Sequence, residues 1–498
     1  VSEALARVPA LAAQHLLLAM AALALAVALA LPLGVVAARR PAVGRVVLGI
    51  ASLVQTVPSL ALLALFYPIL LWIGGVPALG FLPALLALTL YALLPIVRNV
   101  ATGLTGLDPA VREAADGIGM TAGQKLRWVE APLVLPVAMA GVRTAAVWTI
   151  GAATLSTTVG QPSLGDLIFA GLQTQAWALV LAGCLGAAGL ALGVDALLAV
   201  AEAGAARRRP TWTGAALGLL ALATLAASAP LWSSSERRVV IGAKNFSEQY
   251  ILARLIGDRL VRAGYRVDYR DGLGSAVAFG AVAGGEIDAY VDYAGTIWSG
   301  EMKRTDVPPR AEQVRAIADW AKRTRGVTLL GALGFENAYA FAMRPGGAVR
   351  TLDDLARAAP RLRLGADLEF LDRPEWAAVR RAYGLRFAGA TPYSPTFMYR
   401  ALESGRADVI SAFSSDGRIA AERLTVLTDP KRAMPGYDAI LLLSPTAATD
   451  PRLVAALRPL AGRISVEAMR EANYMVDRDA GKVSPEAAAR WLATRTGL

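Results

Sequence analysis

Cysteine and histidine are almost absent: the 498 residues contain one of each, Cys184 and His15. A single cysteine closes no disulfide within the chain, and one of each residue does not assemble a zinc site, so no metal centre is expected. Cys184 lies inside an apolar run and reads as a small buried hydrophobe. Charged residues are scarce as well, at 18%, against about a quarter in ordinary soluble domains. No phosphate loop of the form G-x-x-x-x-G-K followed by Ser or Thr occurs, so any work driven by ATP needs another chain. The net charge of +11 comes without a dense basic stripe or interleaved aromatics, which argues against a nucleic-acid partner. There is no tandem repeat of solenoid period.

What is present is distributed unevenly. Hydrophobic residues make up 55% of the chain and the mean hydropathy is +0.46. The excess is concentrated between Leu16 and about Trp232, and from Ser233 onward the chain reads as an ordinary globular protein. A membrane-spanning helix needs about 20 mostly apolar residues. Six stretches qualify: Leu11–Ala38, Val46–Ile73, Leu79–Val97, Leu135–Thr158, Ala176–Val200 and Trp212–Leu231. Pro32, Pro58, Pro68 and Pro95 fall in or near them and are expected to mark kinks. Arg39, Arg40 and Arg45 flank the first loop, Arg98, Arg112, Lys125 and Arg127 the third, and Arg207, Arg208 and Arg209 the fifth. Gly74–Ala78 and Val159–Gln175 hold neither Lys nor Arg. The positive-inside rule therefore places loops one, three and five in the cytoplasm and everything after the sixth span outside. That span, preceded by Arg207–Pro210 and ending near Ala226-Ala227-Ser228-Ala229, also has the look of a signal peptide, and cleaved or not it leaves the C-terminal part outside. The expected division is a transmembrane domain over 1–210, the sixth helix and a linker over 211–237, and an extracytoplasmic domain over 238–498.

The third loop carries Glu113-Ala114-Ala115, then Gly119, then Val129, Ala131 and Pro132. Asp108-Pro109 is a helix start, Glu113 is expected early in that helix where its charge suits the dipole, and Gly119 allows a tight turn. The spacing resembles the EAA loop of ABC-importer permeases. The resemblance implies an all-α permease whose loop helix docks on a separate ATPase subunit, with Glu113, Ala114, Ala115, Gly119 and Pro132 as coupling residues. It also implies two ATPase copies, two copies of this chain around one pathway, and ATP consumed only by the partner.

After Arg237 the pattern alternates. Arg238–Gly242, Tyr265–Tyr269 and Ile287–Tyr293 read as strands, and Glu248–Ala263 and Ser275–Gly285 as helices, which suggests a parallel doubly wound sheet. Arg361–Gly365 and Ala407–Ser411 suggest a second lobe, and two lobes around a cleft close by hinge motion. Histidine and cysteine are lacking here, and acidic pairs such as Glu286 and Asp288 have a simpler role at a strand start, so no catalytic residue is assigned and no enzyme is expected.

Ile241-Gly242-Ala243-Lys244-Asn245-Phe246-Ser247-Glu248-Gln249 resembles the opening strand and loop of the glycine betaine/choline/osmoprotectant binding proteins. Gly284-Gly285-Glu286-Ile287-Asp288-Ala289-Tyr290 with Tyr293-Ala294-Gly295-Thr296, Phe335-x-Asn337-x-Tyr339-Ala340, Glu369-Phe370-Leu371-Asp372-Arg373 and Asp416-Gly417-Arg418-Ile419 match further blocks in order. The resemblance covers about Val239 to Leu492 and implies a two-lobed α/β periplasmic-binding-protein domain fused to its own permease. Family ligands are mostly quaternary ammonium compounds. A trimethylammonium cation donates no hydrogen bond, so aromatic faces must hold it, each worth about 0.5–2 kcal/mol. The resemblance places the cage at Tyr293, Tyr339, Phe413 and Tyr437. Arg373 is then the carboxylate clamp, Lys244 and Thr296 assist, and Asn337 lines the pocket. Phenylalanine at 413 departs from the family's tyrosine, which admits a bulkier betaine such as ergothioneine. The expected whole is a multi-pass subunit of a bacterial inner membrane that imports glycine betaine, choline, carnitine or a similar osmoprotectant. A membrane-anchored ligand sensor is the alternative of another class, and a neighbouring ATPase or kinase gene would separate the two.

Overall fold

The computed structural model describes residues 6–174, 176–232, 238–367, 370–478 and 480–498. The expected boundary at Ser233, most of its linker, and Glu369 lie outside the described residues. One compact unit comprises Ser2–Ile168 and Leu179–Ser235, and the other Phe169–Ala178 and Glu236–Leu498.

The first unit is helical. Among the described residues, five helices are long and apolar enough to cross a membrane: Val8–Arg39, Phe81–Thr105, Ala122–Val159, Trp177–Ala206 and Pro210–Ala229. A sixth crossing exists only if Pro41–Thr56 and Ser59–Ile73, bent by 102°, count together. The single span expected over Val46–Ile73 is thus two helices. The break follows from Pro58, which forces the preceding Val57 into an extended conformation (φ −71°, ψ 126°) and ends the first helix there. Pro32, Pro68 and Pro95 lie inside continuous helices instead. Pro95 removes the donor that would have reached the Tyr91 carbonyl, and Gln55 Nε2 donates to that oxygen at 3.3 Å. Small residues let helices approach: a Cβ on Gly141 would lie 2.7 Å from the Pro95 carbonyl oxygen. Cys184 is exposed on its helix, contrary to the buried position expected, because little of Trp177–Ala206 is covered within this chain.

Among the described residues the second unit holds ten strands in two sheets: β1 Val239–Lys244, β2 Val267–Leu273, β3 Ala289–Tyr293, β4 Thr328–Glu336, β5 Tyr339–Met343, β6 Arg363–Asp367, β7 Gly389–Tyr393, β8 Val409–Phe413, β9 Thr425–Val426 and β10 Asp438–Leu443. The sheet orders are β2-β1-β3-β10-β4 and β7-β6-β8-β5-β9. Neither is wholly parallel, as had been expected: β10 runs antiparallel to β3 and β4, and β5 antiparallel to β8 and β9. The physical reason is connectivity. Each lobe is completed by a strand arriving from the other lobe, and such a strand is free of the right-handed crossover that enforces parallel pairing. The chain leaves the first sheet through Asn337-Ala338 and returns to it before Asp438. Asp288, at the start of β3, accepts the Val240 N–H at 2.9 Å, a structural task that suits the strand-start reading. Helix ends are closed by Thr351 with Asp354, and by Asp450, Ser465 and Ser484.

Candidate ligand site and coupling segment

Strand register does much of the assembly. Tyr339, first residue of β5, is the cross-strand partner of Phe413, last of β8, and their ring centroids are 5.1 Å apart. Tyr437, one residue before β10, sets its ring at 87° to that of Tyr339, with centroids 5.7 Å apart. The two crossings are tied together by the Asn337 N–H donating to the Tyr437 carbonyl at 3.0 Å. Three expected cage residues therefore meet where the chain passes between sheets. Arg373 joins them, its guanidinium carbon 5.8 Å from the Tyr339 centroid. Phe370, not anticipated from the sequence, packs 4.7 Å from Tyr339.

Hydroxyls fix the ring orientations. Tyr339 donates to Asp367 Oδ2 at 2.8 Å, and Tyr437 donates to Glu375 Oε1 at 2.5 Å. Ser299 donates to the same Glu375 oxygen at 2.5 Å. Burial, then the Glu375 carboxylate, pushes the Tyr437 hydroxyl well above the usual tyrosine range, so it stays protonated and keeps donating.

Tyr293, at the end of β3, makes a different set of contacts. Its ring stacks on Phe246 at 6.1 Å, with Lys244 Nζ 5.4 Å from its centroid. Its hydroxyl donates to Glu248 Oε1 at 2.6 Å and accepts from Gln249 Nε2 at 2.9 Å. Glu248 also accepts from Asn337 Nδ2 at 3.2 Å and Asn473 Nδ2 at 2.8 Å. Burial pushes the Glu248 carboxyl up, opposed by those hydrogen bonds, and burial together with Glu248 pushes the Tyr293 hydroxyl well up. Lys244 is buried and ion-paired with Asp292. Thr296 is half-buried and follows Gly295, against whose backbone the Tyr437 ring lies.

In the helical unit, Glu113, Ala114 and Ala115 lie on the helix Pro109–Gly117, capped by Asp108, whose side chain accepts the Ala110 N–H. Glu113 is its fifth residue, beyond the first turn, so its charge does not sit early enough to favour the helix dipole as expected. Gly119 takes φ +79°, the left-handed turn expected of it. Pro132 follows a π turn, Leu126–Glu130, in the next long helix. Ala115 is buried, while Ile118 and Trp128 are 74% and 66% exposed. Glu130, fully buried, is ion-paired to Arg39 and to Arg112.

Two sheets joined by paired crossings, with aromatic rings and an arginine at the junction, define a two-lobed solute-binding domain. Its covalent neighbour is a multi-span helical unit, so receptor and permease share one chain. Residues 237–494 match the substrate binding domain of the ABC-type glycine betaine transport system, and 30–207 match the binding-protein-dependent transport system inner membrane component. The chain belongs to the first of these families and carries the membrane component of the second. The ergothioneine transport permease/ergothioneine binding protein EgtU of Helicobacter pylori (strain G27) is 29% identical over 91% of this chain and 83% of its own length. The choline transport system permease protein OpuBB of Bacillus subtilis (strain 168) is 41% identical over 38% of this chain and 84% of its own. A crystal structure of a glycine betaine/carnitine/choline ABC transporter is 27% identical, covers 52% of this chain and 98% of its own, and has a TM-score of 0.46. The chain is thus a membrane-embedded, multi-pass ABC importer subunit fused to its substrate-binding domain.

Proposed function

We propose that this subunit imports quaternary ammonium compounds of the glycine betaine, choline and carnitine type. The observation that carries the reading is the meeting of Tyr339, Phe413 and Tyr437 beside Arg373 at the junction of the lobes. Rings supply faces for a cation that donates no hydrogen bond, and the guanidinium supplies two donors for a carboxylate. Tyr293, Lys244, Thr296 and Asn337 complete the proposed site. The receptor domain faces the outside of a bacterial inner membrane, as the basic residues around the first, third and fifth loops imply. Two copies of the chain pair around one path, and two separate ATPase subunits dock on Glu113–Gly119 and consume the ATP.

A second reading, import of ergothioneine, is favoured by Phe413 and by the Helicobacter relative, which spans both halves of the chain. Calorimetry on the full chain in detergent tests both readings. Binding of choline, glycine betaine or carnitine at micromolar concentration supports the first, binding of ergothioneine alone supports the second, and binding of none overturns both.

A further inference from the structure

Two buried acceptors stand beside the ring cluster with nothing donating to them. Glu375 Oε2 and Asn337 Oδ1 have no hydrogen-bond partner among the described residues, and the two side chains are only 2% and 7% exposed. Glu375 Oε1 is already saturated, taking the Tyr437 and Ser299 hydroxyls, so Oε2 is the oxygen left over. The Asn337 amide is oriented by Glu248: only Nδ2 can donate to that carboxylate, and Oδ1 therefore faces away from it. Tyr437 connects the two groups, its hydroxyl on Glu375 and its carbonyl accepting from the Asn337 N–H. The residues that carry both vacant acceptors are thus bonded to Tyr437, one of the proposed cage rings.

A buried acceptor without a donor costs stability, and a bound molecule that supplies the donor recovers it. Glycine betaine has no N–H or O–H to give, and neither does any simple trimethylammonium carboxylate. Choline and carnitine carry a hydroxyl, and betaines built on an imidazole ring carry ring N–H groups. We propose that Glu375, together with Asn337, selects quaternary ammonium compounds bearing an N–H or O–H donor over those bearing none. This rests on the quaternary-ammonium reading and narrows it. Glu375 is a specificity residue that the sequence motif passes over, two positions beyond Arg373.

Ligand pairs differing by one hydroxyl make the test: carnitine with γ-butyrobetaine, and choline with ethyltrimethylammonium, titrated calorimetrically into the full chain in detergent. The hydroxylated member of each pair binds about tenfold or more tighter. Glu375→Gln keeps an oxygen for Tyr437 and Ser299 but puts an NH2 where Oε2 stood, which a ligand hydroxyl meets only as an acceptor and without charge assistance, so the ratio within each pair falls by severalfold. If Glu375 served only to hold the lobes together, both members of a pair would weaken alike and the ratio would survive. A ratio near one in the parent, or an unchanged ratio in Glu375→Gln, overturns the proposal while leaving quaternary ammonium binding intact. Failure of all four compounds to bind overturns both.

Discussion

The ring of Tyr437 lies against the backbone of Gly295, where an added Cβ would sit 2.6 Å from ring carbon Cδ2. That distance is well inside contact, and the ring sits in a packed junction with its hydroxyl held by Glu375. Gly295→Ala is expected to push the ring off its position and break that hydrogen bond. The loss should be about 1–2 kcal/mol, a roughly tenfold rise in Kd for any trimethylammonium ligand. Calorimetry on the full-length variant checks this, and an unchanged Kd would remove Tyr437 from the site.

That glycine shows what the sequence could and could not reveal. It sits within a recognisable block, Tyr293-Ala294-Gly295-Thr296, yet its reason is a ring 142 positions away, which no local pattern encodes. The spans were legible because apolar length is a local property, and so was the turn at Gly119. The break at Val57-Pro58 was less so, since a proline inside an apolar run is compatible with a continuous helix, as Pro95 demonstrates. The α/β character of the second unit was legible from its alternation, but the antiparallel strands depend on which lobe a strand joins, a long-range choice. Phe370 and Glu248 lay inside quoted blocks without an assigned part. Glu248 acquires one through Asn473, 225 residues away.

Glu248 should leave a signature in the pH dependence of stability. Burial raises its carboxyl above the ordinary glutamate value, so the folded chain holds a proton more readily than the unfolded chain. Stability contributed by this group is then highest at acid pH and falls as pH rises from the unfolded value toward the folded one. Glu248→Gln, isosteric and unable to ionise, should flatten that slope. Thermal unfolding of the receptor domain within the full chain, followed from pH 4 upward, checks the prediction. A parent and variant with parallel profiles would contradict it.

Substitutions at Arg373 and Tyr293 test the proposed recognition of the two ends of a ligand separately. Arg373→Ala should weaken carboxylate-bearing ligands by about 1.5–3 kcal/mol and leave choline nearly unaffected. Because the guanidinium also lies over Tyr339, a small loss for choline, well under that for carnitine, is expected as well. Tyr293→Ala should cost every ligand about 1–2 kcal/mol. Its ring stacks on Phe246, so equal binding by this variant would mark it as a core residue and confine the cage to the other three rings.

The segment proposed to couple to an ATPase lies apart in sequence from the proposed ligand residues, and Glu130 is its buried charge. Glu130 has a side-chain exposure of 0% and joins Arg39, at the end of the first long helix, to Arg112, on the helix Pro109–Gly117. It stands at a π turn, the irregular part of its own helix, so three helical elements meet at one carboxylate. A push on Pro109–Gly117 from an ATPase subunit would reach the membrane helices through that carboxylate. Glu130→Gln removes the charge, leaves two guanidinium groups facing a neutral amide, and frees the short helix to shift on its own. Ligand affinity of the receptor domain should stay within about twofold, while uptake into proteoliposomes should fall about tenfold or more. Arg112→Gln should reproduce the defect, since it severs the same link from the other side. Ligand-stimulated ATP hydrolysis by the reconstituted partner supplies the control: loss of stimulation with basal hydrolysis intact identifies uncoupling. Normal uptake in both variants would mean that force passes into the membrane by another route, with Glu130 serving only as a buried charge neutralised by two arginines.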